Sequence, residues 1–381
     1  MKLHGTVRCV ALIACGCAHA IDVKPPAPAF TLQSARDIIA ESRKIVSPNG
    51  IQALLAIPVN GTRQWVSIRG NDHRNPILLF LHGGPASPDM PLSYTFQTPW
   101  EDYFTVVQWD QRGAGKTYAA NDPAMIGPTL TVDQMTDDAE AVVRYLLETY
   151  HKQKIFLVGH SWGSLLGVRL ARRHPEWFHA YIGVGQVTDM RASEAKGYEF
   201  AMQQAHEHHN EKAIRELTAI APYPGEGPIT FKRLDVQRQW LSYYGGLAYG
   251  RTSFAFDANA EQLAPEYSDA DLDAIGSGSK LTLEHLLEPI VDVNFFADTT
   301  EFRCPILLFL GRHDYEVSQV LAAQWFATIK APSKRLVWFE DSAHMVMQEQ
   351  PGRFVQHLIN DARPFAVKAG DAAPDEVVLD Q

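Results

Sequence analysis

Apolar residues fall along this chain in two rhythms. Short, largely apolar runs at residues 77–81, 104–109, 155–158, 180–184, 306–310 and 336–339 lack the alternation of a half-exposed strand. Such runs suit the strands of a parallel sheet, which are covered on both faces. Between them the spacing changes to three and four. Val132, Met135, Ala139, Val142, Val143 and Leu146 share one face of a helix that opens at Thr131, with Gln134 placed to complete a capping box. Helices are also expected over residues 165–173, 317–329 and 352–359. Ahead of these, residues 52–59 and 64–69 flank Asn60-Gly61, a pair that favours a hairpin turn. Two antiparallel strands followed by alternating strands and helices predict an α/β fold with a doubly wound, mostly parallel sheet.

The alternation breaks between residues 186 and 298. Polar helical stretches there are divided by Pro and Gly breaks such as Ala221-Pro222-Tyr223-Pro224-Gly225. This segment reads as a helical cap inserted between two parts of a core, 50–185 and 299–362. Residues 21–49 read as a proline-rich tether and entry segment, containing Lys24-Pro25-Pro26-Ala27-Pro28-Ala29, and organised structure is expected from near Gly50. Beyond Pro364 the chain turns Ala- and Asp-rich, so 363–381 is expected to be a flexible tail.

Composition narrows function more than fold. With 381 residues, 46% of them hydrophobic and 20% charged, the chain can bury a large core. A formal net charge of -10, without clustered Lys and Arg, argues against a nucleic-acid surface. Residues 1–20 carry the pattern of an export signal, with Lys2 and Arg8 around a short apolar segment from Cys9 to Ala14. Leu12-Ile13-Ala14-Cys15 resembles a lipoprotein box in which Cys15 is lipidated, whereas Ala18-His19-Ala20 is an ordinary cleavage site. The expectation is an exported protein, periplasmic or lipid-anchored at the cell envelope, whose contact with membrane is through that anchor. The apolar segment is well short of the ~18 residues that a spanning helix needs. Three of the four cysteines lie near it, which leaves Cys304 with no internal disulfide partner.

Candidate chemistry sits where strands end. The run 155–158 leads into Gly159-His160-Ser161-Trp162-Gly163, and a helical pattern follows at once. Strand, tight turn and helix in that order hold a serine hydroxyl out at the edge of a sheet. The plainer alternative is a strand-to-helix turn with a capping serine. A serine hydroxyl is a weak nucleophile and needs a base that is itself oriented by an acid. Asp314 follows the run 306–310 and His344 follows 336–339, so both fall just past carboxyl ends of strands. Glu316 and Asp341 are rival acids, and His313 is a rival base. Trp162, next after the serine, offers one backbone N–H to an oxyanion. The second is assigned to Gly84 in His82-Gly83-Gly84-Pro85, with Gly83 as the rival. Asp110 and Arg112 are expected to brace the loop behind the site. His206-Glu207-His208-His209 lacks the spacing of a zinc helix, because Asn210 stands where a second histidine is needed, and no metal is expected.

Together, His82-Gly83-Gly84-Pro85-Ala86, Trp109-Asp110-Gln111-Arg112-Gly113-Ala114-Gly115-Lys116-Thr117 and Gly159-His160-Ser161-Trp162-Gly163-Ser164 resemble the proline iminopeptidases of the α/β-hydrolase superfamily. Gly311-Arg312-His313-Asp314 and Ala343-His344 match the late part of that pattern, and nucleophile, acid, histidine is the α/β-hydrolase chain order. The resemblance spans roughly residues 50–359. It implies an eight-stranded sheet with an inserted helical cap, and a cofactor-free serine peptidase working through an acyl-enzyme. Ser161, Asp314 and His344 would be its triad and Gly84 and Trp162 its oxyanion hole. Its substrate would be a small peptide that loses an N-terminal residue, often proline. A carboxylesterase or small-amide hydrolase is the same-chemistry alternative, and a non-catalytic ligand-binding homologue is the remote one.

Two departures stand out. Ala86 replaces the family's usual Gly, and in Gln239-Trp240-Leu241-Ser242-Tyr243-Tyr244-Gly245 the position of a substrate-binding Glu is taken by Tyr244. Without that Glu the preference for N-terminal residues is expected to weaken, unless Glu194, Glu199 or Glu226 substitutes for it. Trp240 and Tyr244 are expected at the substrate, with cap packing as the alternative.

Overall fold

The computed structural model describes residues 29–374; the export signal, Cys15 and the end of the tail lie outside the described residues. β1 (Ile51–Val59) and β2 (Thr62–Gly70) pair antiparallel around Asn60 and Gly61, whose φ values of 42° and 81° give the turn that Asn-Gly favours. Six more strands follow: β3 (Ile77–Leu81), β4 (Thr105–Trp109), β5 (Ile155–His160), β6 (Phe178–Val184), β7 (Ile306–Gly311) and β8 (Lys334–Phe339). They form one sheet in the order β1-β2-β4-β3-β5-β6-β7-β8. β2 meets β4 antiparallel, and every pairing beyond β4 is parallel.

The unbroken apolar runs are explained by cover on both faces. Every residue of β3 is buried, and alternate side chains enter different cores. Ile77, Leu79 and Leu81 join Ile155 and Leu157 on one side, while Leu78 and Phe80 join Phe156 and Val158 on the other. Each large apolar side chain so buried contributes about 1.5–3 kcal/mol. The helix Val132–Thr149 buries Met135, Ala139, Val142, Val143 and Leu146, as its spacing predicts. Its capping box is only half made. Thr131 accepts from the Gln134 N–H at 3.1 Å, but the Gln134 side chain turns to Asp138 at 2.9 Å.

Between β6 and β7 the chain forms helices Met190–Glu207, Glu211–Ala219, Phe231–Tyr243, Ala255–Glu261 and Asp269–Val291. The first three share a small core of their own that includes Ala201, Ala205, Ala213, Leu217 and Trp240.

Both flanks differ from expectation. Order begins before Gly50, with a helix at Leu32–Ser42. Its apolar Leu32 and Ile38 face outward, and it docks through arginines instead. Arg36 donates to the Gln262 carbonyl and to Asp269, each at 2.9 Å, and Arg43 donates to Glu266 at 2.9 Å. Hydrophobic periodicity does not register a helix held in this way. At the other end, residues after Leu358 continue as a helical segment, and Pro364 lies in the first turn of helix Arg363–Lys368. Proline suits that position, because its missing N–H would have no partner there. Ala366 is buried, and Asp371 accepts from Lys152 and pairs with His179 Nε2 at 2.9 Å.

Candidate active site

The turn at Ser161 exists because two backbones pass very close. A Cβ on Gly163 would lie 2.0 Å from the Leu81 carbonyl oxygen, and one on Gly159 would lie 2.6 Å from that of Gly163. Only glycine fits either place. Ser161 itself takes φ 53° and ψ -122°, a conformation strained for a residue with a side chain. Its N–H donates to the Val184 carbonyl at 2.9 Å, and its carbonyl accepts from the Ser164 N–H at 2.8 Å and the Ser164 hydroxyl at 2.6 Å. Trp162 opens the helix Trp162–Arg173, so its backbone N–H is one of those without an intrahelical acceptor.

Asp314 and His344 meet from neighbouring strand ends, β7 and β8. Asp314 Oδ2 lies 2.8 Å from His344 Nδ1, and both residues are buried. The other oxygen of Asp314 accepts from the N–H groups of Glu316 and Val317, each at 3.0 Å. Asp314 therefore caps the turn and holds the imidazole at once. Burial alone would drive the His344 pKa down, but the Asp314 carboxylate outweighs it, with help from Glu316 and Glu349, and the net shift is upward.

Ser161 and His344 line one cavity of about 390 Å³, together with Gly83, Gly84 and Trp162. A Cβ on Gly83 would stand 3.2 Å from that of Ser161, so this loop runs directly past the hydroxyl. His82 braces it. Its Nδ1–H donates to the Gly83 carbonyl at 2.9 Å and its Nε2 accepts from the Gln111 N–H at 3.1 Å; burial lowers its pKa to about 4. Gln111 also accepts from the Trp162 indole at 2.9 Å. Asp110 and Arg112 stand behind this layer. Asp110 accepts from the Lys116 N–H at 2.8 Å and from the Tyr267 hydroxyl, and Arg112 pairs with buried Asp138 at 2.7 Å.

The remaining candidates separate. Trp240 is buried in the cap core, where its indole donates to Glu216 at 3.0 Å, and does not line the Ser161 cavity. Tyr244 lines a different, open groove of about 730 Å³ along with Tyr249 and His313. Trp240 and Tyr244 each meet the Tyr243 ring edge-on, at 5.4 and 5.0 Å between centroids, so the stretch packs on itself between the cap core and this groove. Asp341 is exposed, and Glu199 pairs with Lys196 at the surface at 3.0 Å. Glu226 is exposed. Glu194 does line the cavity. It is buried and receives the Tyr223 hydroxyl at 2.6 Å and the Arg238 guanidinium, which also pairs with Glu316 at 2.7 Å. Among the described residues no cluster of His, Cys, Asp or Glu has the arrangement of a metal site.

Other residues at the site carry no sequence signal. Gly185 has φ +53°, and a Cβ there would lie 2.7 Å from His344 Cε1. Asp89, Asp257 and Glu261 also line the cavity.

Comparison with known proteins bears on the family and the fold. The model of the serine aminopeptidase family S33 matches residues 100–351. A probable aminopeptidase of Bacillus subtilis (strain 168), YbaC, is 29% identical over 324 residues, covering 84% of this chain and 99% of that protein. The proline iminopeptidase of Neisseria gonorrhoeae is 35% identical over 107 residues, 28% of this chain and 31% of that one. Solved structures of a proline iminopeptidase from Mycobacterium smegmatis and of a proline iminopeptidase-related protein from Thermus thermophilus superpose with TM-scores of 0.57 and 0.59. They are 18% and 19% identical and cover 83% and 84% of this chain, and 100% and 99% of their own. These likenesses carry the fold. On the match across most of its length, the chain belongs to the serine aminopeptidase family S33, within the α/β-hydrolases.

Proposed function

We propose that this serine hydrolase is an aminopeptidase similar to proline iminopeptidase, releasing an N-terminal residue from small peptides. Ser161 Oγ attacks the scissile carbonyl as His344 Nε2 takes its proton, and Asp314 holds the imidazole in the required tautomer. The backbone N–H groups of Trp162 and Gly84 receive the oxyanion. Collapse of the tetrahedral intermediate passes the proton from His344 to the leaving amine and leaves an acyl-enzyme. A water molecule, deprotonated by the same imidazole, then releases the acid and frees Ser161.

One observation carries the preference for a free amine. The cavity around Ser161 is lined by six carboxylates, Asp89, Glu194, Asp235, Asp257, Glu261 and Glu316, against the single guanidinium of Arg238. Burial pushes Asp257 and Glu316 upward and Glu261 to about 7, and an arriving cation favours their charged forms, so this lining favours a substrate that brings an ammonium group, even though Tyr244 stands where the family's Glu was expected. Apolar walls from Leu92, Val187, Met190 and Leu247 suit an uncharged body such as a prolyl ring.

The test is turnover of prolyl and other aminoacyl arylamides beside their Nα-acetylated forms and short p-nitrophenyl esters. Cleavage of the free-amine arylamides is expected. Cleavage of the esters alone would replace this reading with that of a carboxylesterase. A fluorophosphonate probe that fails to label the wild type would favour a non-catalytic binder. Export, with or without a lipid on Cys15, is proposed from the amino-terminal pattern; fractionating cells that carry the wild type and Cys15→Ala tests it.

A further inference from the structure

The residue before Ser161 is a histidine that none of the proton transfers uses. His160 is the last residue of β5, is 4% exposed, and lines the same cavity as Ser161 and His344. Its ring lies against that of His344, with 4.7 Å between centroids and 41° between planes, and the Phe80 ring flanks it at 6.5 Å. His160 Nε2 is 3.1 Å from the backbone carbonyl oxygen of His344. A carbonyl oxygen can only accept, so the proton sits on Nε2 and neutral His160 has a bare Nδ1.

That second nitrogen is poorly served. It is buried with no hydrogen-bond partner, and Asp89 Oδ2 comes only to 3.7 Å, beyond hydrogen-bond reach. A Cβ on Gly83 would lie 3.3 Å from it, so the loop that passes Ser161 closes over His160 as well. A buried nitrogen left without a donor costs stability that an apolar ring of similar size would not. Packing alone therefore does not account for an imidazole here. What an apolar ring lacks is the hydrogen bond to His344.

The place of that bond gives it its effect. Asp314 meets His344 at Nδ1, so it sets how the ring is turned and which tautomer it holds. How far the ring stands from Ser161 depends on where the His344 backbone sits. Two strands, β6 and β7, separate β5 from β8, so nucleophile and base arrive from distant parts of the sheet. The His160 side chain spans that gap directly, from the residue beside the nucleophile to the backbone of the base.

We propose that His160 is a positioning residue, whose Nε2–H fixes the His344 carbonyl and thereby the distance between the imidazole and Ser161. The inference rests on the reading of Ser161 and His344 as nucleophile and base, and it holds whichever acyl group they transfer.

The experiment compares the full chain with its variants His160→Gln, His160→Asn and His160→Leu, each checked for fold by circular dichroism. Gln can present an amide N–H near the place of Nε2, Asn only near that of Nδ1, and Leu none. Fluorophosphonate labelling is followed over probe concentration, so that the maximal rate and the half-saturating concentration are read separately. Turnover of p-nitrophenyl butyrate gives kcat and KM in parallel, and labelling decides if the ester is not cleaved. His160→Asn and His160→Leu are expected to lose roughly 10–100-fold in kcat and in maximal labelling rate, with KM within about threefold of wild type. His160→Gln is expected to recover most of that loss. A folded Gln variant as slow as the Leu variant overturns the proposal, because the ring and not its N–H would then matter. So does a change confined to KM, or Asn and Leu variants that keep kcat within about twofold of wild type. Should His160→Leu not fold, the Asn and Gln pair carries the same comparison. Labelling that survives in Ser161→Ala would remove the nucleophile itself, and the positioning role with it.

Discussion

The backbone N–H of His344 donates to the carbonyl of Leu247 at 3.0 Å, so the imidazole loop is fastened directly to the cap. Next to it, the Tyr315 N–H donates to the Gly246 carbonyl at 2.9 Å. Glu349 completes the tie, accepting from the Ala343 N–H at 2.9 Å and from the Tyr249 N–H. The cap is thus part of the mount of the His344 imidazole as well as a wall of the Ser161 cavity. Glu349→Ala is expected to lower kcat by roughly 10–100-fold, because small misplacements of a base are costly. Steady-state kinetics beside circular dichroism would check that the fold survives while turnover falls.

Ser161→Ala should abolish both turnover and fluorophosphonate labelling. Asp314→Asn should retain labelling at a much reduced rate, with kcat lower by about four orders of magnitude, since the amide favours the wrong imidazole tautomer. Labelling time courses separate the two. Equal loss in both variants would mean that Asp314 does more than orient His344.

Catalysis needs the neutral imidazole, and the His344 pKa is raised above its ordinary 6.5 because burial, which lowers it, is outweighed by Asp314 together with Glu316 and Glu349. The acidic limb of kcat/KM is therefore expected above pH 6.5, with activity rising as pH rises through it. In Asp314→Asn burial is opposed only by Glu316 and Glu349, so the limb should move to lower pH. Stability runs the other way. The charged pair contributes fully below pH 6.5, and that contribution is lost as pH rises through the raised value.

Gly185→Ala tests the space behind the base. A methyl group there meets His344 Cε1 at 2.7 Å, in a backbone with φ +53°. Strain of about 1–2 kcal/mol is expected from the backbone, and a drop in kcat of about a hundredfold from the displaced ring. Kinetics with parallel denaturant unfolding would resolve the two effects.

Asp138 is fully buried and accepts from Arg112, Gln64, Asn60 and Gln134. Asp138→Ala leaves the Arg112 guanidinium buried without its partner, so a loss of about 3–5 kcal/mol is expected. Urea unfolding would measure it. A loss under about 1 kcal/mol would mean that water reaches Arg112.

Much of this architecture is legible from neighbours in the chain. The runs at 77–81 and 155–158 are apolar throughout because both faces of their strands are covered, and Asn60-Gly61 carries its own turn preference. Ser161, Asp314 and His344 follow from the same local reading, as residues just past strand ends in a recognisable order. The helix Leu32–Ser42 escapes that reading because it is held by Arg36, and by Arg43 just past its end, to residues more than two hundred positions away. Pro364 misleads for a different reason, since proline both ends helices and begins them.

Local sequence, then, specified the strands, the sharp turn at Ser161 and the candidate side chains that follow strand ends, because each depends on the residues beside it. Folding in three dimensions decided the character of the cavity. Trp240 went to the cap core and Tyr244 to another groove, while Asp89, Glu194, Asp257 and Glu316 converged on the serine from distant segments. Their charges act through space, and that proximity is set by packing rather than by order along the chain.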